Sequence, residues 1–346
     1  MRYGKFLPEN GTIGFVAPSF GCNIEPYKSA FNSALGKFES MGYKTDLGPN
    51  CYEGKGIGIS NTPDKCGQEL TEYYCSDKND VLLSCGGGEL MCETLEYVDF
   101  DRIAKAQPKW YMGYSDNTNM TFLLTTLCDT ASIYGPCAPA FGMDKWHPAI
   151  EDAFECLSGK KNVMTNYDKW EKESLKDEEH PLLPYNVTEK TEIKTFYGNA
   201  SEDGSEAVIE GRLLGGCMDC LVNLTGTKYD KVKEFCHKYE DDGIIWFLES
   251  CDLNVAAIRR AIWQMSNAGW FDTARGFIIG RPLVFGQEMF GLNQYNAVTD
   301  LLKKYNVPII MDADIGHLAP MMPLICGSKA KATKKGETLS VEMKLV

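Results

Sequence analysis

The chain has 346 residues, of which 24% are charged and 44% hydrophobic, and 35 basic against 48 acidic side chains leave a formal net charge of −13. Such a length can bury more than one core. The balance excludes a disordered chain, and the acidic excess argues against a nucleic-acid polymer as partner. The fourteen cysteines are scattered, and several (Cys85, Cys128, Cys137, Cys326) sit among apolar neighbours, as buried thiols do. There is no signal-peptide pattern and no apolar run of about 18 residues, so a reduced, cytoplasmic protein with no membrane partner is expected.

In chain order, residues 11–19, GTIGFVAPS, contain a buried-type strand over 12–17 that ends at Pro18. A helix over 26–41 and a strand after Gly42 complete a first α/β unit, and a Gly-rich loop follows at 54–64. VLLSC at 81–85 reads as a central parallel strand that stops at Gly86-Gly87-Gly88. Three glycines suit either a tight turn or amides presented to a substrate oxygen; neither nucleotide-binding glycine fingerprint is present. A helix over 90–97 leads to KWYMGYSDNTNMTFLLTTLC at 109–128, the stretch around which the chain is organised. There a strand over 110–114 meets Ser115, and a helix beginning at Asp116-Asn117 carries Met120, Phe122, Leu123, Leu124 and Leu127.

The Gly- and Pro-rich residues 131–143 end the first half, and a helix is expected over 146–157. Residues 159–205, polar and weakly periodic, read as a linker or lid. In the second half, strands are expected at 208–214, 243–248, 276–280 and 307–311, with a helix over 254–266 and an edge strand over 338–346. The domains are therefore placed at 1–150 and 207–346, with 151–206 inserted between them.

Three residues at strand ends have complementary chemistry. Ser115 either caps a helix or is a nucleophile lifted toward free helix N-terminal amides. Glu249, just past an apolar strand, is either a solvated cap or a functional carboxylate. Of the four histidines, His147, His180 and His237 lie in polar surroundings, whereas His317 occupies a loop punctuated by Gly and Pro after a strand. Together they make a serine, an imidazole to take its proton, and an acid to orient that imidazole. Because His317 comes from the second half, such a site would lie in a groove between the domains. Rival chemistries are thinner. Cys217 and Cys220 have the spacing of a redox or metal pair without a second pair. Cys85 has no thiolate-stabilising neighbour in sequence, and Asp312 and Asp314 lack the rest of a calcium loop.

Four motifs, GTIGFVAPS, GYSDNT around Ser115, WFLES around Glu249 and IGHLAPMMPLICG around His317, with GRLLGG at 211–216, resemble the LD-carboxypeptidase family of serine peptidases, S66, in its microcin C self-immunity branch. The order Ser, Glu, His and the 68-residue step from Glu249 to His317 fit that family. The resemblance implies an α/β fold: an N-terminal three-layer domain with a parallel sheet, and a smaller C-terminal β-rich α/β domain. It implies Ser115 as nucleophile, His317 as general base and Glu249 as its orienting acid, with backbone N–H groups of Asp116 and of Gly86 or Gly87 as oxyanion hole. It further implies a homodimer without cofactor or metal, acting on murein peptides or on peptidyl or aminoacyl nucleotides.

Substrate contacts are expected from Glu89, from Trp170 stacking on a nucleobase, and from Arg212 or Lys329 binding a carboxylate. Cys217 stands where relatives carry Asn, with Asp219 near enough to replace its polar contact. A non-catalytic binding protein on the same scaffold is the alternative.

Overall fold

The computed structural model describes residues 1–198 and 206–346. The end of the expected lid, 199–205, lies outside the described residues. The chain forms two compact units, Met1–Lys161 with Glu173–Asn186, and Asn162–Lys172 with Val187–Val346. The stretch expected as one insertion thus contributes to both units, and the second nearly equals the first in length.

In the first unit, five parallel strands run in the spatial order β5-β4-β3-β1-β2: β1 (Thr12–Val16), β2 (Lys44–Leu47), β3 (Val81–Ser84), β4 (Tyr111–Gly113) and β5 (Ser132–Tyr134). Every residue of β3 is buried, as a central strand covered on both faces requires. The connecting helices are α1 (Tyr27–Ser40), α2 (Pro63–Cys75), α3 (Met91–Thr94), α4 (Phe100–Lys105), α5 (Thr118–Cys128) and α6 (Pro148–Leu157). α2 was not foreseen. Its buried Cys66, Leu70 and Tyr74 recur every four residues, and Leu70 and Tyr74 join the core that holds Leu82, Tyr111 and Met120. Each such side chain removed from water contributes about 1.5–3 kcal/mol. β5 also went unread, being three residues inside a Gly- and Pro-rich stretch.

The second unit is built on a sheet of order β6-β16-β15-β10-β11-β12-β13-β9. Its strands are β6 (Val163–Thr165), β9 (Lys194–Tyr197), β10 (Ala207–Cys217), β11 (Ile244–Glu249), β12 (Ala274–Gly280), β13 (Pro308–Ala313), β15 (Lys329–Lys335) and β16 (Thr338–Lys344). A separate ribbon pairs β7 (Lys169–Trp170) with β8 (Glu189–Lys190), and β14 (Leu324–Cys326) precedes β15. Strands β10 to β13 are mutually parallel. Around them lie α7 (Met218–Leu224), α8 (Val232–Lys238), α9 (Val255–Asn267) and α10 (Asn296–Leu302). α9 begins with the Asn254 side chain accepting from the Ala257 amide at 2.9 Å and buries Val255, Ile258 and Ile262. The C-terminal strand is not an edge: β6 pairs with its outer side. Among the described residues no helix is long and apolar enough to cross a membrane.

Candidate active site

Ser115 stands at the carboxyl end of β4, where the chain turns into a short 3₁₀ segment, Ser115–Asn117, that leads into α5. Its φ is +63°, a conformation that non-glycine residues rarely adopt outside turns and functional sites. Its amide donates to the Tyr134 hydroxyl at 3.2 Å. The next residue is locked by its buried carboxylate: Asp116 accepts from the Ser19 hydroxyl at 2.6 Å, the Met91 amide at 2.9 Å and the Asn119 side chain at 3.0 Å. β3 lies beside β4, so the glycines after β3 arrive at the same edge. A Cβ on Gly87 would lie 3.1 Å from Ser115 Oγ. A side chain at that position would press on Ser115 and push it by a few tenths of an ångström.

In the second unit, parallel pairing sets Cys217 of β10 level with Glu249, the last residue of β11. The next strand, β12, ends at Gly280, and the loop after β13 carries His317. Glu249 is fully buried, and its Oε2 lies 2.8 Å from His317 Nδ1. With Nδ1–H donating to that oxygen, Nε2 is the acceptor whenever the ring is neutral. Burial opposes the imidazolium, but the Glu249 charge and hydrogen bonds with Cys251 and Glu249 outweigh it, raising the pKa of His317 well above its usual 6.5. Asp219 holds the turn after Glu249 by accepting from the Cys251 and Asp252 amides at 3.0 and 2.9 Å. The Cys217 thiol donates to the same carboxylate at 3.3 Å.

The structure thus brings Glu249 and His317 together, as it does Ser115, Asp116 and Gly87. Gly86 is adjacent, its carbonyl accepting from Ser84 and Asn117 at 3.0 and 2.7 Å. Glu89 is exposed in the first unit, with its amide donating to the Gly58 carbonyl at 3.2 Å. Other expected roles are corrected. Trp170 is no open stacking platform: it is buried, with the Arg281 guanidinium 5.0 Å from its ring centroid and Phe285 edge-on at 5.0 Å. Arg212 and Lys329 both clasp Asp242, at 2.7 Å each, and Arg212 lies over the Tyr239 ring. Arg212 pairs with Ile244, five positions from Glu249 along β11, or roughly 17 Å at the usual rise. Their charges hold the far end of the sheet.

The rival chemistries fare no better. Cys85 is fully buried, and burial with the adjoining Cys22 and Cys51 thiols raises its pKa well above the ordinary value. Burial likewise raises Cys217, aided by Cys220 and Glu249. Asp314 pairs with Arg281, and Asp312 accepts from the Tyr295 hydroxyl at 2.7 Å. No group of three metal-capable side chains occurs among the described residues. Sequence reasoning missed Asn117 and Asp219 as organisers, since the bonds of Asn117 to the Gly86 carbonyl and of Asp219 to the Cys251 and Asp252 amides join segments more than thirty residues apart.

The chain thus combines a parallel-sheet α/β first unit with a second unit that carries a histidine–carboxylate pair at its strand ends. The sequence models of the LD-carboxypeptidase N-terminal and C-terminal domains match residues 13–135 and 210–332, and the chain belongs to that family, S66. The microcin C7 self-immunity protein MccF of Escherichia coli is 25% identical over 97% of this chain and 94% of its own length. A structure of MccF in complex with aspartyl sulfamoyl adenosine superposes with a TM-score of 0.79 at 22% identity, covering 99% of this chain and 98% of that one. A MccF-like protein from Streptococcus pneumoniae in complex with AMP gives a TM-score of 0.76 at 20% identity, covering 96% and 98%.

Proposed function

We propose that the chain is a metal-independent serine hydrolase that cleaves the acyl-linked bond of peptidyl or aminoacyl nucleotides. The Ser115 oxygen attacks the acyl carbonyl while His317 Nε2 takes its proton. Glu249 steadies the resulting imidazolium, and the amides of Gly87 and Asp116 hold the tetrahedral oxyanion. The carbon–leaving-group bond then breaks as His317 returns the proton to the departing atom. Water, deprotonated by the same imidazole, releases the acyl group from Ser115. The observation that carries this reading is the buried Glu249–His317 pair, 2.8 Å apart, in a chain whose family serine sits on a left-handed turn. Relatives seen with aspartyl sulfamoyl adenosine and AMP favour a nucleotide conjugate.

The test offers aspartyl sulfamoyl adenosine and a murein tetrapeptide in parallel, measuring released aspartate or D-alanine. Aspartate release is expected, and Ser115→Ala should lower it by about 10⁴-fold while leaving ligand binding and the melting temperature nearly unchanged. Cleavage of the murein peptide alone would move the assignment to cell-wall recycling. Full activity in Ser115→Ala would overturn the nucleophile. Tight binding of the conjugate without turnover by the unaltered protein would leave a binding protein.

A further inference from the structure

Asn117 is fully buried two residues after the nucleophile. Its Oδ1 accepts from the Tyr111 hydroxyl at 2.5 Å, so its two amide hydrogens face the other way. They donate to the carbonyl of Gly86 at 2.7 Å and to that of Tyr114 at 3.1 Å. Burial raises the Tyr111 pKa well above its ordinary value, keeping that hydroxyl protonated and donating. Gly113 provides the space: a Cβ there would come within 2.9 Å of Asn117 Cβ.

In a trans peptide the carbonyl and the following N–H point in opposite directions. The Gly86 carbonyl is held by Asn117 and by the Ser84 hydroxyl at 3.0 Å. Its partner N–H, that of Gly87, is therefore fixed in direction as well. The Gly87 carbonyl accepts from the Phe20 amide at 2.9 Å, but among the described residues the Gly87 N–H donates to no protein acceptor. One buried amide group thus ties the peptide leading into Ser115 to the peptide that supplies the unspent N–H of Gly87, a residue packed closely against Ser115.

We infer that Asn117 is a positioning residue for the hydrolysis, aiming the Gly87 N–H at the developing oxyanion while touching no substrate itself. This rests on the serine-hydrolase reading above, and the experiment separates the two. Unaltered protein, Asn117→Leu, Tyr111→Phe and Ser115→Ala are treated with a fluorophosphonate, which forms a serine–phosphorus bond as fluoride leaves. They are also assayed for turnover of aspartyl sulfamoyl adenosine.

Removing an oxyanion donor outright costs about 10²–10³ in kcat. Asn117→Leu, which frees the donor without deleting it, should lower kcat and the labelling rate by about 10- to 100-fold, with KM within about twofold. Tyr111→Phe should lose less, in the same two quantities, and carries the test should Asn117→Leu fail to fold. Folded variants that label and turn over like the unaltered protein, or that lose only KM, would overturn the inference and leave the hydrolase standing. An unaltered protein that neither labels at Ser115 nor hydrolyses the conjugate would remove both.

Discussion

A base can accept the Ser115 proton only when neutral, and His317 is held toward its charged form. Burial opposes that charge; Glu249 at 2.8 Å, with the Cys251 thiol, overcomes it and lifts the pKa well above 6.5. Activity should therefore rise with pH along an acid limb centred above 6.5. In Glu249→Gln the limb should move down and the plateau fall, as a pH–rate profile would show; a limb that stayed in place would deny the pairing its role. The stability effect has the opposite sign. The folded state binds this proton more tightly than the unfolded, so the pair's stabilisation is complete below the unfolded pKa and is lost as pH rises through the raised folded value. Melting temperatures of Glu249→Gln should fall most on the acid side.

Between elements, the acid meets the imidazole because two glycines let a loop approach β11. A Cβ on Gly280 would lie 2.1 Å from the Ile315 carbonyl and 3.1 Å from Glu249 Cβ. Gly316 has φ +106°, and a Cβ there would fall 2.5 Å from Glu249 Oε2. Gly280→Ala should cost about 1–3 kcal/mol by overpacking and reduce kcat much further, through displacement of His317; urea unfolding beside steady-state kinetics would separate the two losses. These glycines were legible in part, since GRP and IGH stand at strand ends that apolar runs had marked. α2 was not, because Pro63 and Asp64 announce a helix start whose apolar stripe is one residue wide. Alternation in 338–346 correctly indicated a strand. Local pattern, however, has no means of saying that β6, from far earlier in the chain, would cover its outer side. Asn117 stayed hidden for the same reason, its bond to the Gly86 carbonyl being set by the adjacency of β3 and β4.

Across the whole molecule, the motifs around Ser115 and His317 were the most legible in the sequence, because a strand-to-helix turn and a loop after a strand are each defined within a few residues. The cations assigned to substrate were misread because charge type is visible in a sequence while its partner, here Asp242, is not. That leaves a formal charge of −13 to meet an anionic substrate. Raising salt from about 20 to about 200 mM should screen this repulsion and increase kcat/KM for an anionic conjugate. A neutral acyl ester should show no such rise, and a fall with salt for the anion would point to a strong local cationic site.

None of the fourteen cysteines is in a disulfide; eleven are buried, and Cys75, Cys92 and Cys251 reach intermediate exposure. Of these three, Cys251 lies against the His317 imidazole. An electrophile that finds this protein therefore has a foothold beside the His317 imidazole. On the proposed hydrolase reading, alkylation of Cys251 should silence turnover while leaving Ser115 untouched.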